Sequence, residues 1–316
     1  MSNSDKKLTK NERRAAAREQ ARKMHEARLR REKRNRALTI GGIVVAAVAV
    51  VVVVVLIIVN SVRPPSPGPE NMAADGIVIG EGLVADRTEG IPVDGEPTPT
   101  EQRDDILQIV VYQDFMCPHC GAFEQTNGPT IESLVQDGLA TVEIHPLSIM
   151  DQASLGSKYS TRSANAAACM AEHAPDSFLS WNTLMFANQP EGQTQGLTDE
   201  EMLDFMGQAG ADVTPELTEC VNSLQFEGWV RDVGERIYEN PIPYTVGEEE
   251  LYALQTPTVL VNGRQYQGPN EDAAVFQQFL QSVQGELENT NGDDDGEDGD
   301  GGEEDAEESP EETESP

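Results

Sequence analysis

Two cysteines separated by two residues, Cys117 and Cys120, are the side chains whose type and spacing most directly support chemistry. They stand in Asp114-Phe115-Met116-Cys117-Pro118-His119-Cys120, just after an apolar run and at the start of a segment with helical character. A helix N-terminus offers unpaired N–H groups and the positive end of the helix dipole, so it favours an anion. A thiolate at Cys117 is expected to be stabilised there, its pKa falling from about 8.5 toward the range of roughly 3.5 to 7.5 found at such positions. The dithiol form gains that stabilisation and the disulfide form does not, which makes the pair more oxidising. Pro118 and His119 tune the site, His119 most when cationic or when donating to the sulfur. Cys120, one turn deeper, is the expected resolving cysteine.

Other uses of the pair fit less well. A zinc site needs two further ligands, and His25, His145 and His173 form no partner motif. Attachment of c-type haem needs histidine at position 121, where Gly121 stands. An inert structural bridge sits poorly with a two-residue spacing at a strand-to-helix junction. No metal or other cofactor is called for. Cys169 and Cys220 remain, both in segments that read as helix, and outside the cytoplasm such a pair tends to oxidise. A structural disulfide between them is expected, closing a loop worth roughly 4 kcal/mol on the chain-entropy model. Two buried free thiols, or a second relay to Cys117, are the competing readings.

The elements that must position Cys117 follow from patterning. Ile106 to Tyr112 is a short β-branched run that reads as a buried strand, a helix is expected over 117–137, and Thr141 to His145 alternates as the next strand. Strand, helix, strand implies parallel pairing. From about 152 to 245 the pattern turns helical, with Ser163 to Ala174 rich in alanine, a capping pattern at Thr198-Asp199-Glu200-Glu201 and a similar start at Thr214. Trp181, Phe205 and Trp229 fall in this insertion and read as core, although exposed aromatics there would help to grip unfolded substrates. A strand at Thr258 to Val261, the type I′ turn pair Asn262-Gly263, a short return strand from Arg264 and a helix over 271–283 close the domain. The fold class is α/β, over residues 103–285.

Outside that domain, Leu38 to Val59 is an uncharged apolar stretch of 22 residues, long enough to cross a hydrocarbon core of about 30 Å as a helix. A cleaved signal peptide is the alternative, but its apolar region runs only about 7 to 15 residues and ends in a small-residue site that Asn60-Ser61-Val62-Arg63 does not offer. Fourteen of the 22 basic residues lie in the segment 1–37 before this helix, which places the N-terminus in the cytoplasm and the rest outside. Only five of the 56 acids precede it, so the outer part carries a formal charge of −43. That excess fits a surface suited to a salty exterior or simple drift in composition, and it speaks against nucleic-acid binding there. The basic segment reads as attracted to anionic lipid. Residues 60–102 are rich in Pro and Gly and read as an extended linker, with an added edge strand at Gly76 to Ile79. Residues 286–316, a run of Asp, Glu, Gly, Ser and Pro, read as a disordered acidic tail.

Taken together, Cys-Pro-His-Cys after a strand, a helical insertion, and Gln255-Thr256-Pro257-Thr258 before a late strand resemble the DsbA-like branch of the thioredoxin superfamily over about Ile106 to Val283. The resemblance implies a thioredoxin-like fold in which Pro257 is a cis proline beside the active disulfide and Thr256 offers its backbone to an extended substrate chain. It implies a protein thiol:disulfide oxidoreductase acting on reduced secreted or cell-envelope proteins, reoxidised by a membrane quinone-linked partner of the DsbB or VKOR type. A reductase or isomerase is the alternative within that class, and a peptide-binding holdase or scaffold the alternative outside it. One departure stands out: the buried acid that thioredoxins often carry six residues before the first cysteine is Val111 here, and Asp114 reads as a helix-entry residue.

Overall fold

The computed structural model describes residues 10–61, 66–243, 245–246, 250–253 and 255–292. The chain divides into two compact units, 1–64 and 65–316. In the first, helix α1 (Lys10–Ser61) is rich in Ala, Arg, Lys and Glu over its first half and in Val, Ile and Ala over its second. Its most apolar window has a mean hydropathy of 2.9, apolar enough for a membrane span. Exposed pairs one turn apart, such as Glu19 with Lys23 at 2.8 Å, decorate the basic half and add little to its stability.

The second unit is built on a six-stranded sheet in the order β2-β1-β4-β3-β5-β6. Its centre is β3 (Leu107–Gln113), every residue of which is buried, as its continuous apolar run anticipates. β4 (Ala140–Pro146) pairs parallel to it, with Ile109 opposite Val142 and Tyr112 opposite His145. The connection between them is α2 (Pro118–Gln136), which packs on β4. On the other side of β3, β5 (Thr258–Val261) runs antiparallel with Tyr112 opposite Thr258, and β6 (Arg264–Gln265) closes that edge through Asn262 and Gly263, both at positive φ. β1 (Ile77–Gly80) lies antiparallel on β4.

Between β4 and β5 the described residues form five α-helices: α3 (Tyr159–His173), α4 (Phe178–Ala187), α5 (Asp199–Gln208), α6 (Pro215–Ser223) and α7 (Glu227–Glu239). Alanines 164, 166, 167, 168 and 171 of α3 are wholly buried, and side chains that small let α6 and α7 pack closely against it. A Cys169–Cys220 disulfide ties α3 to α6, with a Cα separation of 5.9 Å. The expected capping box opens α5: the Glu201 N–H donates to Thr198 Oγ1 at 3.2 Å, and the Thr198 N–H to Glu201 Oε2 at 2.7 Å. Trp181 and Trp229 are core residues and Phe205 packs against that core from a partly buried position.

Three expectations are corrected. The segment read as an extended linker is folded onto the domain from Ser66 onward. The Asn71 side chain donates to Ala171 O at 2.8 Å, the Asp75 carboxylate takes Arg236 in a two-pronged bond at 2.6 and 2.7 Å together with the Trp229 indole N–H at 3.1 Å, and Asp176 takes Arg87 at 2.7 Å. These are specific partners about 90 to 160 positions away, invisible to composition. The added strand β1 is also not the edge, because β2 (Val84–Ala85) pairs outside it. Finally, the last helix, α8 (Ala273–Gly292), runs into what reads as the acidic tail, held by a Glu286–Arg264 ion pair and by Leu287 against the core. The remainder of that tail, 293–316, and residues 62–65 lie outside the described residues.

Asp75 is 6% exposed and accepts three of the bonds that hold the segment 66–102 as a strap on the domain. Asp75→Ala leaves Arg236 without its partner in a half-buried setting, and it is expected to lower unfolding stability by about 2–4 kcal/mol in urea titrations. A change below about 0.5 kcal/mol would show that the strap is not integral to the fold.

Candidate active site

The loop between β3 and α2 is pinned before the helix begins. Asp114 is fully buried, and its carboxylate accepts from the Met116 N–H at 2.8 Å, the Ser160 hydroxyl at 2.8 Å and the Met150 N–H at 3.0 Å. It therefore joins the loop, the segment after β4 and α3 at one point. Burial pushes this carboxyl up to about 6, against the pull of its three donors. Its place as a helix-entry residue is only part of its role, since it is a buried hub, and the signal for that lay in partners distant in sequence. Phe115 anchors the same loop, its ring 5.3 Å from Trp181 and 5.0 Å from Phe186.

Cys117 is the N-cap of α2, Pro118 occupies the first turn, and Pro118 and His119 are exposed at the rim. The Cys117 carbonyl accepts from Cys120 N–H at 3.1 Å and Gly121 N–H at 3.2 Å. Both cysteines are buried free thiols. The Cys117 pKa is drawn down to about 5, first by the Cys120 thiol donating to its sulfur, then by Thr256 and the backbone N–H groups of Cys120 and His119, against the opposing cost of burial. Cys120 is pushed well above the ordinary thiol range by burial and by its neighbour's sulfur. One cysteine is thus a ready anion and the other a held proton, which is the asymmetry that thiol–disulfide exchange needs.

The opposing wall is the turn before β5. The Thr256–Pro257 peptide is cis, and Thr256 O lies 3.3 Å from Cys117 Sγ, placed to accept from the thiol. Thr258 Oγ1 donates to Gln255 O at 2.8 Å and braces the turn, while the Tyr112–Thr258 pairing brings it beside the β3 loop. Cys117, Cys120, Thr256 and Pro257 are therefore assembled in one place, whereas Cys169 and Cys220 are wholly buried within the insertion.

Two further residues stand where α2 and its preceding loop meet the insertion. Glu124, one turn past Cys120 on α2, is buried against Thr183 at 3.3 Å and Asn182, and burial pushes it up to about 7. Gln189, just past α4, reaches the loop carbonyls from the insertion. Glu124 was legible only as a position four after Cys120, and Gln189 had no local signal at all. Among the described residues no three His, Cys, Asp or Glu side chains gather into a metal-binding group, and His145 is paired with Glu143 at 2.8 Å.

A Cys-x-x-Cys pair at a helix N-terminus, facing a cis proline on a central mixed sheet, defines a thioredoxin-type dithiol site. The Thioredoxin_4 family model, described as Thioredoxin, matches residues 106–282, more than half of the chain, and the chain belongs to that family. Among curated proteins it is similar to the serine/threonine-protein kinase PknE of Mycobacterium tuberculosis, 29% identical over 119 residues, covering 36% of this chain and 21% of the kinase. The match thus spans about a fifth of the length of those relatives. Among solved structures, the reduced disulfide bond oxidoreductase DsbG of M. tuberculosis is 26% identical, covers 57% of this chain and 79% of its own, and has a TM-score of 0.47. Reduced DsbA of the same organism is 22% identical over 67% and 99%, with a TM-score of 0.47. Oxidised BdbD of Bacillus subtilis is 17% identical over 71% and 100%, with a TM-score of 0.48.

The pKa ordering has a thermodynamic consequence. Because the folded Cys117 pKa lies below its unfolded value, the thiolate adds stability to the reduced form that is fully present above about pH 9 and is lost as pH falls through about 5. The disulfide form has no such contribution. Urea unfolding of both redox forms should show the reduced form gaining on the oxidised one between pH 5 and pH 8, and a pH-independent difference would contradict the assignment.

Proposed function

We propose that the chain is a membrane-anchored thiol:disulfide oxidoreductase that donates disulfides to secreted or cell-envelope proteins outside the cytoplasm. The observation that carries this reading is the set of donors around the Cys117 sulfur, the Cys120 thiol and the N–H groups of Cys120 and His119, which favours the reduced site and supports an oxidising role for the disulfide. The Lys- and Arg-rich half of α1 supports a cytoplasmic N-terminus, with its apolar half as the anchor.

In the forward direction the site begins as a Cys117–Cys120 disulfide. A client thiolate attacks the Cys117 sulfur, the bond to Cys120 breaks, and Cys120 leaves as a thiolate that takes up a proton. The Thr256 backbone beside the sulfur is suited to hold the client as an extended chain in the mixed disulfide. A second client thiolate then attacks the client sulfur of that mixed disulfide, and Cys117 departs as the stabilised anion. The client loses two electrons and the enzyme gains them. Turnover needs a two-electron acceptor, for which the resemblance to DsbA-like proteins points to a quinone-linked membrane partner of the DsbB or VKOR type.

Cys117→Ser is expected to abolish oxidation of a reduced, unfolded test protein by the purified chain. Cys120→Ser lacks the internal disulfide and should also fail to oxidise a reduced client, but its Cys117 thiolate should attack a client disulfide, displace one client thiolate and remain as a mixed disulfide with no Cys120 thiol to resolve it. Oxidation that persists in Cys117→Ser at more than about a hundredth of the parent rate would defeat the assignment of the attacked sulfur.

A further inference from the structure

Gln189 lies two residues beyond the end of α4, in the helical insertion, yet its side chain is spent on the active-site loop. Its Nε2 donates to Phe115 O at 3.0 Å and to Cys117 O at 2.8 Å, so both amide hydrogens close on carbonyls that flank Met116. The same Cys117 carbonyl starts α2 by accepting from Cys120 and Gly121. The Cys117 N–H in turn donates to Asp114 O at 2.9 Å. The peptide units on either side of Cys117 are thus held from two elements, and the Gln189 amide is the part supplied by the insertion.

Gly121 makes room for that amide. A Cβ built on Gly121 would stand 2.1 Å from Gln189 Oε1 and 2.9 Å from Gln189 Cδ, far inside contact distance. The glycine sits within α2, so its need is for space rather than for an unusual backbone angle. A second tie between the same helices, Gln125 Nε2 to Phe186 O at 3.0 Å, fixes where α4 ends and so where Gln189 begins.

We infer that Gln189 is a positioning residue for the redox site: by clamping the carbonyls of Phe115 and Cys117 it fixes the Cys117 sulfur against the donors that hold its anion, and it makes the reactivity of that sulfur depend on the helical insertion. Gln189 bonds to the carbonyls of Phe115 and Cys117 and acts through the backbone of Cys117. Without the clamp the loop retains its own helix-start bonds but can rotate about Cys117, and the sulfur then spends less time aligned with the N–H groups of His119 and Cys120. The inference rests on Cys117 being the reactive thiolate.

The test uses the full-length chain in detergent, reduced, with thiolate followed by ultraviolet absorbance against pH. Two variants alter the clamp: Gln189→Glu keeps the length but presents an anion to the carbonyls, and Gln189→Leu removes the donors. Both are expected to move the Cys117 midpoint upward by about one unit, a tenfold loss of thiolate at acidic pH, with Gln189→Glu shifted more. The equilibrium with glutathione should move by a similar factor toward the disulfide form. Gly121→Ala should produce the same upward shift in the parent and no further shift when added to Gln189→Leu. Midpoints within about 0.2 units of the parent in whichever clamp variants fold would overturn the inference. So would shifts from Gly121→Ala and Gln189→Leu that simply add. A parent midpoint in the ordinary thiol range, or one unaffected by Cys117→Ser, would instead defeat the reading of Cys117 itself.

Discussion

A sulfur anion at Cys117 must be kept in place within a wall that is otherwise nearly dry, on a domain whose net charge is strongly negative. Both conditions oppose it, since burial and neighbouring acids each raise a thiol pKa. What offsets them is local: the start of α2 points its N–H groups at the sulfur, the Cys120 thiol donates to it, and Thr256 closes from across the sheet. The value near 5 is the balance of these short-range donors against desolvation. Much of the fold can be understood as the means of bringing three separate pieces of chain to one atom.

Those pieces are the β3–α2 loop, the turn before β5 and the end of α4. The parallel β3–β4 pair and the antiparallel β3–β5 pair share β3, so the loop and the cis-proline turn are set side by side by one central strand. The insertion contributes Phe186 and Trp181 to grip Phe115, Ser160 to hold Asp114, and Gln189 to hold Cys117 O. Its own rigidity comes from the alanine face of α3 and the buried Cys169–Cys220 bridge. Stabilising the anion in the dithiol form alone favours the reduced site, as the proposed oxidising role requires.

Local chemistry was legible and long-range chemistry was not. The strand at Thr258 to Val261, the Asn262-Gly263 turn and the Thr198 capping box could be read because each is decided by neighbours within a few residues. The position of Cys117 at a strand-to-helix junction could be read for the same reason. The strap over 66–102 could not, because Asp75 needs Arg236 and Trp229, and Asn71 needs α3, before proline and glycine become packing rather than linker. Asp114 looked like an entry residue since its Met116 bond is local, whereas the bonds to Met150 and Ser160 that make it a buried hub are not. The end of α8 was missed because acidic composition hid Glu286 and Leu287, which face Arg264 and the core.

The central claim is that the reduced site is the favoured one, and the reduction potential measures this directly. Equilibrated with glutathione, the full-length chain is expected to lie toward the oxidising end of the thioredoxin superfamily, nearer about −120 mV than about −270 mV. A potential close to about −270 mV, the thioredoxin value, would contradict the account, because it would mean that the donors around Cys117 do not favour the dithiol over the disulfide.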